Sequence, residues 1–188
     1  MPTIDPRGSA LVLIDLQEGV IGRPLVPRSG SDILVASRTL AERFRAAGAL
    51  VVLVRVTFAA DYADAPPSNV DSPSQFPPGG MPESWSRLAE GLAAPGDIHV
   101  VKRQWGAFHG TDLDLQLRRR GVRTLVVGGI ATNFGVESTV RAAWEHGYDV
   151  VVPEDLCATM SADMHEFSFQ RIFPRVARVT TSAEVAFA

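Results

Sequence analysis

The sequence predicts a three-layer α/β fold with a parallel sheet at its centre. Two observations carry this. Apolar runs of strand length recur along the chain without in–out alternation, and segments with helical spacing separate them. A strand that is apolar at every position must be covered on both faces, and helices placed between such strands supply the cover. At 188 residues, with 46% hydrophobic and 21% charged content, the chain has enough apolar material for one core. One domain over residues 1–188 is expected.

The elements follow in order. "SALVLIDLQ" (9–17) is a first buried strand. "SDILVASRTLAERFRAAG" (31–48) is a helix: Ile33, Leu34, Leu40, Ala41, Phe44 and Ala47 share a face, Ser31 suits the cap and Gly48 the stop. "ALVVLVRV" (49–56) is a second strand. Residues 57–82 are rich in Pro, Ser, Gly and Asp. Long loops inside compact domains are usually functional or disordered, and a cover over the site is preferred here to a plain surface excursion. "PESWSRLAEGL" (82–92) is a short helix with Pro82 near its start, and "DIHVVK" (97–102) a strand ending at Lys102. "TDLDLQLRRRG" (111–121) is a helix capped by Thr111 and stopped by Gly121. "VRTLVVGGI" (122–130) is a strand, and a helix runs from Asn133 to His146. "YDVVVPED" (148–155) is a strand, "SADMHEFSFQRIF" (161–173) a helix and "RVARVTT" (175–181) the last strand.

Charge and composition exclude some partners. Net charge is −3 with no basic block, which argues against nucleic acid. The first apolar run is too short to span a bilayer and is broken by Asp15. No membrane segment or leader peptide is expected. Cys157 is the one cysteine and cannot form an internal disulfide, which fits a reducing, cytoplasmic setting.

Ligands of parallel α/β sheets bind beyond the carboxyl ends of the strands. Three positions converge there: Asp15, Lys102 and the turn at 131–135. Burial raises a carboxyl's pKa and a neighbouring ammonium lowers it, so the pair can be tuned for acid–base work or can be a structural ion pair. The turn opens a helix, where unpaired amides can hold an anion. Gly135 there allows a tight turn or close backbone approach. Phe58, Trp105, Phe108 and Phe134 fall at strand ends or in loops, where they line an apolar pocket or pack in the core. With Gln17 and Asn133 they form the candidate substrate-binding set. Cys157 reads more readily as a small buried apolar group than as a nucleophile. His99, His109, His146 and His165 have no metal-ligand spacing with Cys157. Of these, His109 and His165 either border the site or serve the structure.

"LVLIDLQ", "VVKRQWGAFHGTDL" and "GGIATNFGVESTVRAAWEHGYDVVVPEDLCATMSADMH", in this order, resemble the isochorismatase-like hydrolase superfamily over nearly the whole chain. The resemblance implies a Rossmann-like fold with a six-stranded parallel sheet flanked by helices, assembled as a homodimer or homotetramer. Apolar and aromatic residues in the loop before Lys102 (Phe76, Met81 and Trp85) fit such an interface or pack on their own domain. Cysteine-hydrolase members use an Asp–Lys–Cys triad on amides. In this sequence the Asp falls on Asp15, the Lys on Lys102 and the Cys on Gly135. A non-proline cis peptide, which helps shape an oxyanion hole in the amidases, falls between Ile130 and Ala131.

Glycine at 135 rules out an acyl-enzyme at that position. Isochorismatases proper also lack the cysteine and hydrolyse a vinyl ether with the Asp as acid. The function implied is hydrolysis of a small-molecule substrate, with no metal or organic cofactor and no nucleic-acid partner. The alternatives are a catalytically inert member that binds a small molecule or serves in assembly, and an amidase dependent on Cys157. After Lys102 come Arg103, Gln104 and Trp105, where isochorismatases have an aromatic and then an Arg. "VRVTFAADYAD" holds no counterpart of the Asp-x-His metal motif of nicotinamidase-like members.

Overall fold

A computed structural model describes residues 3–67 and 69–188. Its strands are β1 (Thr3–Ile4), β2 (Ser9–Ile14), β3 (Leu50–Val56), β4 (Ile98–Lys102), β5 (Thr124–Ile130), β6 (Asp149–Pro153), β7 (Cys157–Ala158), β8 (Arg178–Thr180) and β9 (Ala186–Phe187). Its α-helices are α1 (Glu18–Ile21), α2 (Gly30–Ala46), α3 (Leu113–Arg119), α4 (Glu137–Glu145), α5 (Ala162–Phe167) and α6 (Phe173–Val176).

Every residue of β2 is buried, and its side chains divide by parity. Ala10, Val12 and Ile14 enter one apolar layer with Leu113, Leu117, Val140 and Phe173. Leu11 and Leu13 enter the other with Ile33, Leu40 and Phe44 of α2. The apolar run is thus a strand with helices on both sides. The main sheet runs β4-β3-β2-β5-β6-β8, with every pairing parallel. The short β7 pairs with β5 beyond the end of β6, giving seven strands where six were expected. A second, two-stranded parallel sheet joins β1 to β9.

Several boundaries differ from the sequence pattern. The cap of α2 is Ser29, not Ser31. The Ser29 hydroxyl accepts from the Asp32 amide at 3.2 Å, and the Asp32 carboxylate accepts from the Ser29 amide at 3.2 Å, a reciprocal box. In the 82–92 segment only Glu83–Ser86 is helical, as one 3-10 turn. Beyond it the chain turns extended so that Leu88 can bridge to Gln17. The helix expected from Asn133 begins as a wide π-turn over Thr132–Val136 before α4. The 161–173 helix also widens, at Ser168–Ile172, and α6 then runs through Val176 with Pro174 in its first turn. That leaves only Arg178–Thr180 for the last strand of the main sheet. Among the described residues no helix is long and apolar enough to cross a membrane.

Candidate active site

Parallel register brings the carboxyl ends of β2, β3, β4 and β5 to one edge. Ile14 lies opposite Val54 and Gly129, and Val56 opposite Lys102. Asp15 is the first residue past β2. Its backbone turns to φ 53, in the left-handed region that Asp tolerates better than most residues, while its amide still donates to the Val54 carbonyl at 2.9 Å. Lys102 closes β4 and reaches across β3, so that Nζ donates to Asp15 Oδ2 at 2.6 Å and to the Gln104 carbonyl at 3.1 Å. Both side chains are deeply buried, with Lys102 2% exposed and Asp15 7%. Asp15 Oδ1 has no hydrogen-bond partner among the described residues.

Burial pushes the Asp15 carboxyl up to about 6, while the Lys102 ammonium pulls it down. Burial is the larger effect. Asp15 is therefore a carboxyl that keeps its proton to unusually high pH, with one oxygen held by Lys102 and the other unengaged.

Gly129 brings β5 against this pair. Its φ is 126, and a Cβ there would sit 2.1 Å from the Ile14 carbonyl oxygen. Only glycine lets the two strands approach so closely. The Ile130–Ala131 peptide is cis, as the resemblance implied. The chain then enters the π-turn, where the amides of Phe134 and Val136 both donate to the Ala131 carbonyl, at 3.1 and 3.2 Å. The Phe134 amide is thus already committed, which narrows the anion cradle expected over 131–135. Gly135 is buried, and a Cβ on it would lie 3.4 Å from Asp15 Oδ2, 3.3 Å from the Trp105 carbonyl oxygen and 3.0 Å from Ile14 Cγ2. A side chain at this position would lie beside the Asp15 carboxyl.

These groups form the floor of a cavity of about 960 Å³. Phe58, Phe76, Trp85, Trp105 and Phe134 give it an aromatic wall. The 57–82 loop supplies much of the roof. Phe58 packs edge-on to Phe76 at 5.2 Å, Tyr62 stacks on Phe76 at 4.6 Å, and the Tyr62 hydroxyl donates to the Pro77 carbonyl at 2.8 Å. Arg103 ties this loop to β4 through the Asp64 carboxylate. Trp105, more than half exposed, packs against Phe134 at 4.8 Å between ring centres.

An isochorismatase domain profile matches residues 9–184. The chain belongs to the isochorismatase family. It is 47% identical to the isochorismatase family protein YecD of Escherichia coli O157:H7, over 98% of each chain. It is 30% identical to the ureidoacrylate amidohydrolase RutB of Rhizobium rhizogenes, over 94% of this chain and 82% of that one. Among solved structures, an isochorismatase family protein from Burkholderia thailandensis superposes with TM-score 0.93 at 45% identity, covering 98% of this chain and 96% of its own. A cysteine hydrolase from Pseudomonas syringae pv. phaseolicola superposes with TM-score 0.83 at 28% identity, covering 98% and 93%. This places the chain among isochorismatase-like hydrolases.

Within this isochorismatase fold the expected site residues separate. Asp15, Lys102, Ile130, Ala131, Gly135, Phe58, Trp105 and Phe134 line the one cavity. Phe108 does not: it is 7% exposed and packs in the core against Tyr148 and His146, at 5.9 and 5.0 Å. Asn133 faces away, accepting from the Thr159 hydroxyl at 2.6 Å and lining a separate shallow cleft beside α5. Gln17 is fully buried and serves the backbone. Its amide nitrogen donates to the Val56 and Trp85 carbonyls at 3.1 and 3.0 Å, and its oxygen accepts from the Val56 amide at 2.9 Å.

His165 is structural, its Nδ1 lying 2.9 Å from the hydroxyl of Thr132 in the π-turn. His109 is exposed. Phe76 and Trp85, which the sequence leaves between an interface and packing on their own domain, line the cavity. Arg23 and Met160, which also line it, went unnoticed because they sit in irregular segments with no periodic signal.

Proposed function

We propose that this chain hydrolyses the vinyl-ether bond of a small metabolite, with Asp15 as the acid and no thiol nucleophile. The carrying observation is the Asp15 carboxyl itself, buried at the cavity floor, with Oδ2 on Lys102 Nζ at 2.6 Å and Oδ1 unengaged. An ammonium on Oδ2 makes that oxygen an acceptor, so the acid proton belongs on Oδ1. The pull of Lys102 toward the carboxylate is outweighed by burial, which leaves an acid that titrates near neutrality.

Asp15 gives its proton to the terminal carbon of the double bond. A C–H bond forms from the π pair, and the ether oxygen shares its lone pair to give an oxocarbenium ion. Water adds to the cationic carbon and returns a proton to the Asp15 carboxylate. The hemiketal then collapses to a ketone and an alcohol. No bond to the protein is formed, which agrees with glycine at 135.

Amide hydrolysis is the activity in the name of RutB. Cys157 is poorly placed to supply it here. It is fully buried on β7, does not line the cavity, and burial pushes its thiol up, away from the reactive thiolate.

The test is turnover of a panel of vinyl ethers carrying one carboxylate, two (isochorismate) or none, by the wild type and by Asp15→Asn. An amide keeps the shape but carries no acidic proton, so turnover should drop about 10²–10⁴-fold. The wild-type rate should fall as pH rises past about 6, where Asp15 loses its proton. Retained turnover in a folded Asp15→Asn protein sinks the acid assignment. No turnover of any vinyl ether by the wild type favours an inert binding member.

A further inference from the structure

Cations on the cavity wall are not equivalent. Lys102 is paired with Asp15, and Arg103 with Asp64. Arg23 lies just past α1, on the wall that also carries Val20 and Trp85. Its amide donates to the Val20 carbonyl at 3.2 Å. Its side chain is exposed to the cavity and makes no ion pair or hydrogen bond among the described residues. Asp71, on the roof, shares the cavity without forming an ion pair with Arg23.

We propose that Arg23 is the anion anchor of this cavity, and that its ligand is a monoanion with a flat or cyclic apolar body. This rests on the hydrolase reading of the same cavity and adds the substrate class. A guanidinium presents a planar fork of donors that matches a carboxylate with two parallel hydrogen bonds, which an ammonium cannot reproduce. Phe58, Phe76, Trp85 and Trp105 offer ring faces and edges against which a flat body can lie. At a pH where Asp15 is ionised, a second carboxylate on the ligand finds no second unpaired cation on the wall among the described residues. Above about pH 6 it meets a Lys102 already neutralised by the Asp15 carboxylate, and an unpaired charge removed from water is costly.

Calorimetric titration of the whole chain at about pH 7.5 with benzoate, benzamide and isophthalate tests this without any turnover. Benzoate should bind about tenfold more tightly than its neutral isostere, as expected of charge-assisted hydrogen bonds. Arg23→Gln should bring the two to within about twofold of each other, and Arg23→Lys should fall between, because a point charge replaces a fork. Isophthalate should bind more weakly than benzoate. Circular dichroism checks that both variants are folded, as an exposed position should allow.

Four results overturn the proposal: benzamide binding as well as benzoate to the wild type, an unchanged ratio in Arg23→Gln, tighter binding of isophthalate, or no benzoate saturation up to about 10 mM. Anion selectivity that depends on Arg23 without vinyl-ether turnover would break the proposed reaction and leave the anchor standing. Turnover without the selectivity would do the reverse.

Discussion

The floor and the roof of the cavity are built by opposite means. Asp15, Lys102, Ile130 and Gly135 sit at or just past the ends of ladder-bonded strands and are nearly or fully buried. The 57–82 loop has mostly exposed residues, and stacked aromatics, the Tyr62 hydroxyl and one ion pair hold it. Groups that move protons need fixed geometry, which strand ends supply. Groups that only surround a ligand can stand on softer material. Substitutions in the floor should therefore alter chemistry and stability together, whereas those in the roof should alter ligand fit.

The largest effect belongs to Asp15→Asn, whose loss of turnover has a thermodynamic counterpart. The folded chain holds the Asp15 proton more tightly than the unfolded chain, whose carboxyl titrates near 3.8. Between 3.8 and about 6 the native state binds more protons, so the contribution of Asp15 to stability falls as pH rises through that window. Urea midpoints at intervals across it should show a smaller decline for Asp15→Asn than for the wild type. Equal slopes would mean that burial does not dominate this carboxyl.

Next in size is Lys102→Met. Breaking a buried pair from one side costs about 3–5 kcal/mol, measurable by denaturant unfolding near neutral pH. The ammonium is also what holds the Asp15 carboxyl down, so its removal should move the alkaline fall in rate to higher pH. A limb that stays in place or moves lower would contradict the assigned roles.

Gly135→Cys, made with Cys157→Ala, puts a thiol back beside Asp15. Its Cβ would press on Ile14 Cγ2 at 3.0 Å, a small overpacking of the kind that costs about 1–3 kcal/mol. The backbone is no obstacle, because Gly135 does not have positive φ. Beside Lys102 the thiolate should be favoured, with half-labelling by iodoacetamide below the free-thiol pKa of about 8.5. Labelling no faster than a free thiol would show that the floor does not support a cysteine.

Phe76→Ala should have the smallest effect on the chemistry of the floor. It removes two aromatic contacts from a half-buried roof residue, each worth about 0.5–1.5 kcal/mol beyond area burial. A fall in Tm of about 2–12 °C is expected, with weaker benzoate binding. A loss of stability as large as that of Lys102→Met would erase the distinction between roof and floor.

Legibility followed the same division. The strands could be read because burial on both faces writes an unbroken apolar run, and Asp15 and Lys102 stood out as charges ending such runs. The assignment of position 135 came from family likeness, since a glycine alone carries no chemistry. Phe108 was misplaced because an aromatic in a loop packs inward or faces a cavity with the same sequence signature. Ser31 reads as the cap because it directly precedes the apolar face, and only the geometry shows that Ser29 is the residue that pairs with Asp32. The π-turns at 132–136 and 168–172 have no periodicity of their own. Arg23 and Trp85 reach the cavity from a bend and a single 3-10 turn, where position depends on tertiary contacts.

Gln17 has a consequence for how such a protein can change. One buried carboxamide grips Val56, where the roof loop departs, and Trp85, just after it returns. The two ends of the excursion are pinned to each other through a residue that belongs to the floor. Loop-closure entropy grows so slowly that doubling a flexible loop costs only about 0.6 kcal/mol. Whatever lies between the pins can lengthen, shorten or be exchanged with little disturbance to the carboxyl and ammonium beneath. Gln17 thereby makes the roof a cassette, through which one buried floor could be fitted to new ligands by insertion and deletion.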